Sequence, residues 1–180
     1  MKKPGFFIII IVGFTLAGCR SESDSGGSSS HDPHYYPRLD AFHLVDSYGN
    51  STEDDIDPFL VLDPFIDSGL FEFYWYADNL HDYTIEFRIN DAPRLGGSRL
   101  ISSDYCGIDL ACDLDGIQFC QYYADFSMSC DPPDTANPNQ YITYFDDLIE
   151  TVPQTMYLIL DLCDTESDYC EYQTLEVSLQ

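Results

Sequence analysis

The sequence predicts an all-β fold, an antiparallel β-sandwich stapled by disulfides, and three observations carry that prediction. Apolar residues recur with a period of two rather than the roughly 3.6 of a helix. Strand-sized segments follow one another between clusters of Asp, Asn, Gly and Pro, the pattern of a sandwich. Six cysteines, Cys106 to Cys170, form an even set of the kind that becomes a disulfide framework in an oxidising compartment. A chain of 180 residues has room for one such domain. With 44% apolar and 15% aromatic residues it has enough apolar surface to bury, which excludes disorder over most of its length.

The chain opens with Met1-Lys2-Lys3, an apolar run from Phe6 to Phe14, and Leu16-Ala17-Gly18-Cys19. The apolar run is shorter than the ~20 residues needed to span a bilayer. Leu16-Ala17-Gly18-Cys19, behind a charged start and an apolar stretch of this length, resembles the lipobox of bacterial lipoprotein precursors. The resemblance implies that residues 1–18 are a signal peptide and that Cys19 receives a diacylglycerol thioether as the first residue of the mature chain. It also implies a lipid-anchored place in the bacterial cell envelope. Arg20 stands where an inner-membrane retention signal has Asp, which leans towards the outer membrane. Two or three acyl chains, at ~0.8 kcal/mol per buried methylene, anchor a protein stably.

Residues 19–37 are rich in Ser, Gly and Asp without apolar period, and read as a flexible tether. The domain is expected over residues 38–180. Removal of residues 1–18 takes away both lysines and leaves Arg20, Arg38, Arg88, Arg94 and Arg99 against 32 acidic residues, a formal net charge of -27. That balance excludes nucleic acid as a partner, because phosphate binding needs a basic stripe. It suits a strongly acidic, soluble surface that anionic lipid headgroups repel.

Two strands are clearest. Leu70 to Tyr76 places Phe71, Phe73 and Trp75 on one face, and Tyr83 to Ile89 turns Tyr83, Ile85, Phe87 and Ile89 inward with Thr84, Glu86 and Arg88 outward. Weaker strands are expected at Ala41–Val45, Pro58–Leu62, Ser98–Ser102, Ile117–Met128 and Gln140–Tyr144, then Met156–Cys163 and Tyr169–Leu179. A short helical turn is expected around Phe145 to Glu150. Trp75 on an early strand, followed by the alternating Tyr83 to Ile89 strand, is similar to fibronectin type III and other immunoglobulin-like modules, which implies an immunoglobulin-like sandwich and no particular activity.

In the last two strands Leu158, Leu160 and Leu162 share a face opposite Cys163, and Leu175, Val177 and Leu179 share a face opposite Cys170. A hairpin between them projects both thiols from one outward face, which predicts a Cys163–Cys170 bridge. Three pairings of Cys106, Cys112, Cys120 and Cys130 remain open. Cys106–Cys112 is easy across a five-residue loop. An unbroken strand from Ile117 to Met128 would hold Cys120 and Cys130 too far apart, while a turn at Asp115-Gly116 would bring Cys112 towards Cys120.

Catalytic signatures such as G-x-S-x-G or H-E-x-x-H are missing from the sequence. Two other constellations stand out. Asp46, Asn50, Glu53, Asp54, Asp55 and Asp57 gather oxygen ligands of the kind calcium takes, although their spacing is not that of an EF-hand. Among 14 tyrosines, Tyr74 and Tyr76 face away from Trp75, and Tyr157 and Tyr172 lie on the outward side of the last hairpin, where tyrosine suits a protein or glycan interface. The expectation is a non-catalytic binding or structural module of the envelope without a cofactor. The alternatives are a calcium-dependent interaction module and, least supported, an envelope hydrolase.

Overall fold

The computed structural model describes residues 38–54, 58–78, 81–107, 110, 112, 115–130, 141–167 and 169–180. The expected signal peptide, the lipidated Cys19, the tether, and the acidic residues Asp55 and Asp57 lie outside the described residues. The strands are β1 (Arg38–Val45), β2 (Val61–Leu62), β3 (Leu70–Asp78), β4 (Tyr83–Asn90), β5 (Arg99–Cys106), β6 (Asp115–Tyr123), β7 (Ser127–Cys130), β8 (Thr143–Tyr144), β9 (Gln154–Asp164) and β10 (Cys170–Leu179). They form two five-stranded sheets, β1-β3-β6-β7-β8 and β2-β10-β9-β4-β5. The protein is an all-β sandwich, antiparallel throughout the described pairs except where β2 runs parallel to β10. The expected helical turn is a single 3-10 turn, Asp146–Leu148.

Period-two patterning produces the core directly. Phe71, Phe73 and Trp75 of β3 meet Ile85, Phe87 and Tyr83 of β4 across the sandwich, all at most 4% exposed. Phe73 and Phe87 stack with ring centroids 4.2 Å apart, Phe42 meets Phe73 edge-on, and the Trp75 indole N–H donates to the Tyr83 hydroxyl at 3.2 Å. Leu158, Leu160 and Leu162 of β9 and Val177 and Leu179 of β10 complete the layer from the second sheet. On one side the sheets are joined at Leu39, whose N–H donates to Glu171 Oε2 at 3.3 Å and whose carbonyl accepts from Gln173 Nε2. Short β2 leaves little unpaired edge, since Pro58 and Pro64 flank it.

The strand order matches the immunoglobulin pattern in part. β10-β9-β4-β5 corresponds to its G-F-C-C′ order and β1-β3-β6 to A-B-E. Beyond E that pattern has strand D, which precedes E in the chain, whereas β7 follows β6.

Three disulfides staple the sandwich: Cys106–Cys112, Cys120–Cys130 and the expected Cys163–Cys170, with Cα separations of 4.7, 3.9 and 4.1 Å. Two sequence expectations are corrected here. Ile117–Met128 is not one strand: the chain turns back at Ala124-Asp125-Phe126, with Phe126 at φ 57°, so Cys120 and Cys130 stand directly opposite each other. Asp115-Gly116 is not a turn but the start of β6, where Gly116 lies opposite Trp75. A Cβ there would come within 2.1 Å of the indole, so the glycine serves packing rather than reversal.

Candidate functional site

The centre of the outer face of the first sheet is built from β3 and β6. In the β3–β6 register Tyr74 lies opposite Ile117, Glu72 opposite Phe119, and Tyr76 opposite Asp115. Ile117 is 57% exposed, Phe119 51%, Tyr76 47% and Leu70 37%. An exposed apolar patch of this kind is informative where a scattered apolar residue is not. The polarity of β6 is inverted: Ile117 and Phe119 point to solvent while Gln118, 5% exposed, points inward. The buried amide is satisfied, its Oε1 accepting from Ser102 at 2.8 Å and its Nε2 donating to Asp104 at 2.5 Å. The buried amide thus ties β6 to Ser102 and Asp104 of β5 in the other sheet, while two large apolar side chains stand in solvent on the outer face.

Tyr74 is fixed rather than free. Its ring stacks on His43 with centroids 4.9 Å apart, and its hydroxyl donates to Glu53 Oε2 at 2.5 Å. Burial, then the hydrogen bond and charge of Glu53 and the charges of Asp54 and Glu72, push the phenol up to about 12. At the Leu70–Phe119 end the face opens into a cleft of about 390 Å³, walled by Val45 and Gly49 and edged by Asp67 and Glu72.

The sequence named Tyr74 and Tyr76 but not Ile117 or Phe119. Alternation alone would have turned those two inward, and the sequence carries no signal against that reading: in the structure it is Gly116, Gln118 and Cys120 that take the inward parity. Tyr157 and Tyr172 lie on the outer face of the other sheet, so the four tyrosines do not form one surface.

Of the calcium candidates, Asp46 is 4% exposed and its oxygens are already engaged. Oδ1 accepts from the N–H groups of Tyr48 and Asn50 at 2.9 and 2.8 Å, and Oδ2 from Asn50 Nδ2 and Val61 N–H at 2.8 and 2.7 Å. Glu53 is held by Tyr74, and Asp54 is exposed. Among the described residues no three His, Cys, Asp or Glu side chains are gathered to hold a metal ion. His81 has Nδ1 3.2 Å from Asp164 Oδ2 and Nε2 3.6 Å from Glu166 Oε2, so both ring nitrogens face carboxylates rather than a nucleophile.

No family model, curated protein or solved structure matches this chain.

On the second sheet Asp161, 8% exposed, lies between Glu86 and Tyr172, and its Oδ1 has no hydrogen-bond partner. Burial, with the charge of Glu86 added and that of Arg88 opposing, raises its pKa. A raised folded-state value means that the ionised form is disfavoured by folding. Its cost is absent below the unfolded value near 4 and grows as pH rises through the folded value. Asp161→Asn is expected to stabilise the protein by about 1 kcal/mol at pH 7, a rise in Tm of roughly 3 °C, and to change little near pH 3. Equal gains at both pH values would show that charge is not the cause.

Proposed function

We propose that the protein is a lipid-anchored module of the bacterial cell envelope, placed at the outer membrane, that holds a partner on the outer face of its first sheet and performs no chemistry of its own. The exposed stripe of Tyr76, Ile117 and Phe119, on a strand that buries and hydrogen-bonds Gln118 instead, carries this reading. Cysteine accounting supports the anchor: the six domain cysteines pair among themselves, which leaves Cys19, in its Leu-Ala-Gly-Cys setting, as the odd thiol. The three disulfides also suit an exported, oxidising environment.

Expression in a Gram-negative host fed radiolabelled palmitate tests the anchor. The mature protein is expected to carry label and to sediment with outer membranes, and Cys19→Ala should lose the label. A labelled Cys19→Ala protein, or an unlabelled wild type, would remove the anchor from the proposal.

A further inference from the structure

Resting on that reading of the outer face, we infer that its occupant is a basic polypeptide segment. The segment lays apolar side chains along Tyr76, Ile117 and Phe119, seats one of them in the cleft between Leu70 and Phe119, and sets lysines or arginines against Glu72 and Asp67.

The side chains of the face select the class of partner. Sugar rings stack on open, flat aromatic faces, but here Tyr74 already has its ring stacked on His43, and the most exposed member of the stripe is the aliphatic Ile117. Ile117, Phe119 and Leu70 are matched by aliphatic and aromatic side chains, which a polypeptide supplies at alternate positions. A cleft of about 390 Å³ has room for one large apolar side chain.

The rim selects the sign of charge. Glu53, Asp54 and Glu72 surround Tyr74, Asp67 edges the cleft, and Asp115 lies opposite Tyr76. Among the described residues Arg38 is the one cationic side chain on the strands of this sheet besides His43, and it is paired with Asp40 and Asp78. A basic segment is steered to such a rim and fixed in register by it. A second copy of the chain is not, because two molecules of net charge -25 before processing repel each other.

The test uses the mature lipidated protein in a non-ionic detergent and a short synthetic peptide in which leucine and lysine alternate. A leucine/glutamine peptide of the same length and an N-acetylglucosamine oligomer are the comparison probes. The leucine/lysine peptide is expected to bind best, and Ile117→Ser with Phe119→Ser to weaken it about tenfold or more. Glu72→Gln with Asp67→Asn should weaken it several-fold and flatten its salt dependence without affecting the leucine/glutamine peptide. Tyr172→Ala, on the opposite face, should change nothing. Near-UV circular dichroism confirms that each variant is folded.

If the leucine/glutamine peptide binds as tightly as the basic one and still needs Ile117 and Phe119, the face stands and the basic partner is wrong. Binding of the sugar oligomer that is lost with those residues also overturns it, in favour of a glycan. If no probe depends on Ile117 or Phe119, both the partner and the binding face fall.

Discussion

Asp46→Ala is expected to lower the unfolding temperature by about 10 °C, and by the same amount in EDTA as in millimolar calcium. The carboxylate accepts four hydrogen bonds that tie the turn after β1 to Val61 at the start of β2. Hydrogen bonds to a charged acceptor contribute ~1.5–3 kcal/mol each, and removing the acceptor strands the Tyr48, Asn50 and Val61 N–H groups. Losses in such a cluster do not add fully, so a total of about 3–4 kcal/mol is expected. Asp46→Asn, which keeps an acceptor oxygen but brings an unwanted amide donor towards Val61, should fall between. A loss that grows when calcium is supplied would instead make Asp46 a ligand, and the acidic loop a site.

Phe73→Ala should cost about 3–5 kcal/mol in urea unfolding, with a drop in Tm of roughly 10–15 °C. Phe73 is fully buried at the point where the sheets meet: Phe42, Trp75 and Phe87 pack around its ring. Truncation loses both the transfer term and the packing of those neighbours, which β-strand backbones on two sheets are poorly able to close around. Phe73→Leu, which retains most of the volume, should recover more than half of the loss. A cost below about 1 kcal/mol for Phe73→Ala would mean that the two sheets do not share this core.

The strands legible in the sequence were those whose two faces differ in chemistry. β3 and β4 alternate cleanly, and the C-terminal hairpin could be paired to the residue, Cys163 opposite Cys170, because its leucines fixed the inward parity. The β6–β7 hairpin was not legible for the opposite reason. Tyr122, Tyr123, Phe126 and Met128 continue an apolar run through a turn that holds no Gly or Pro, and nothing in a sequence shows that a phenylalanine will take a positive φ. The candidate face was half legible. Tyr74 and Tyr76 followed from the parity of Trp75, but Ile117 and Phe119 violate the rule by which faces are read. Asp115-Gly116 misled because a glycine chosen to accommodate an indole looks the same as one chosen for a turn.

The bonds between Leu39 and the pair Glu171 and Gln173 have a mechanical consequence. Tension on the chain upstream of Arg38 reaches the sandwich at the first rungs of β1, where an edge strand would ordinarily peel from β3 one rung at a time. Here Leu39 is gripped from the other sheet as well, through its N–H and its carbonyl together. Peeling therefore has to break a cross-sheet clamp at the outset, before Phe42 and Leu44 are drawn out of the core. β10 thus adds two side-chain bonds to what the β3 ladder resists at its first rungs, and Gln173→Ala would lower the yield point while leaving the ladder intact.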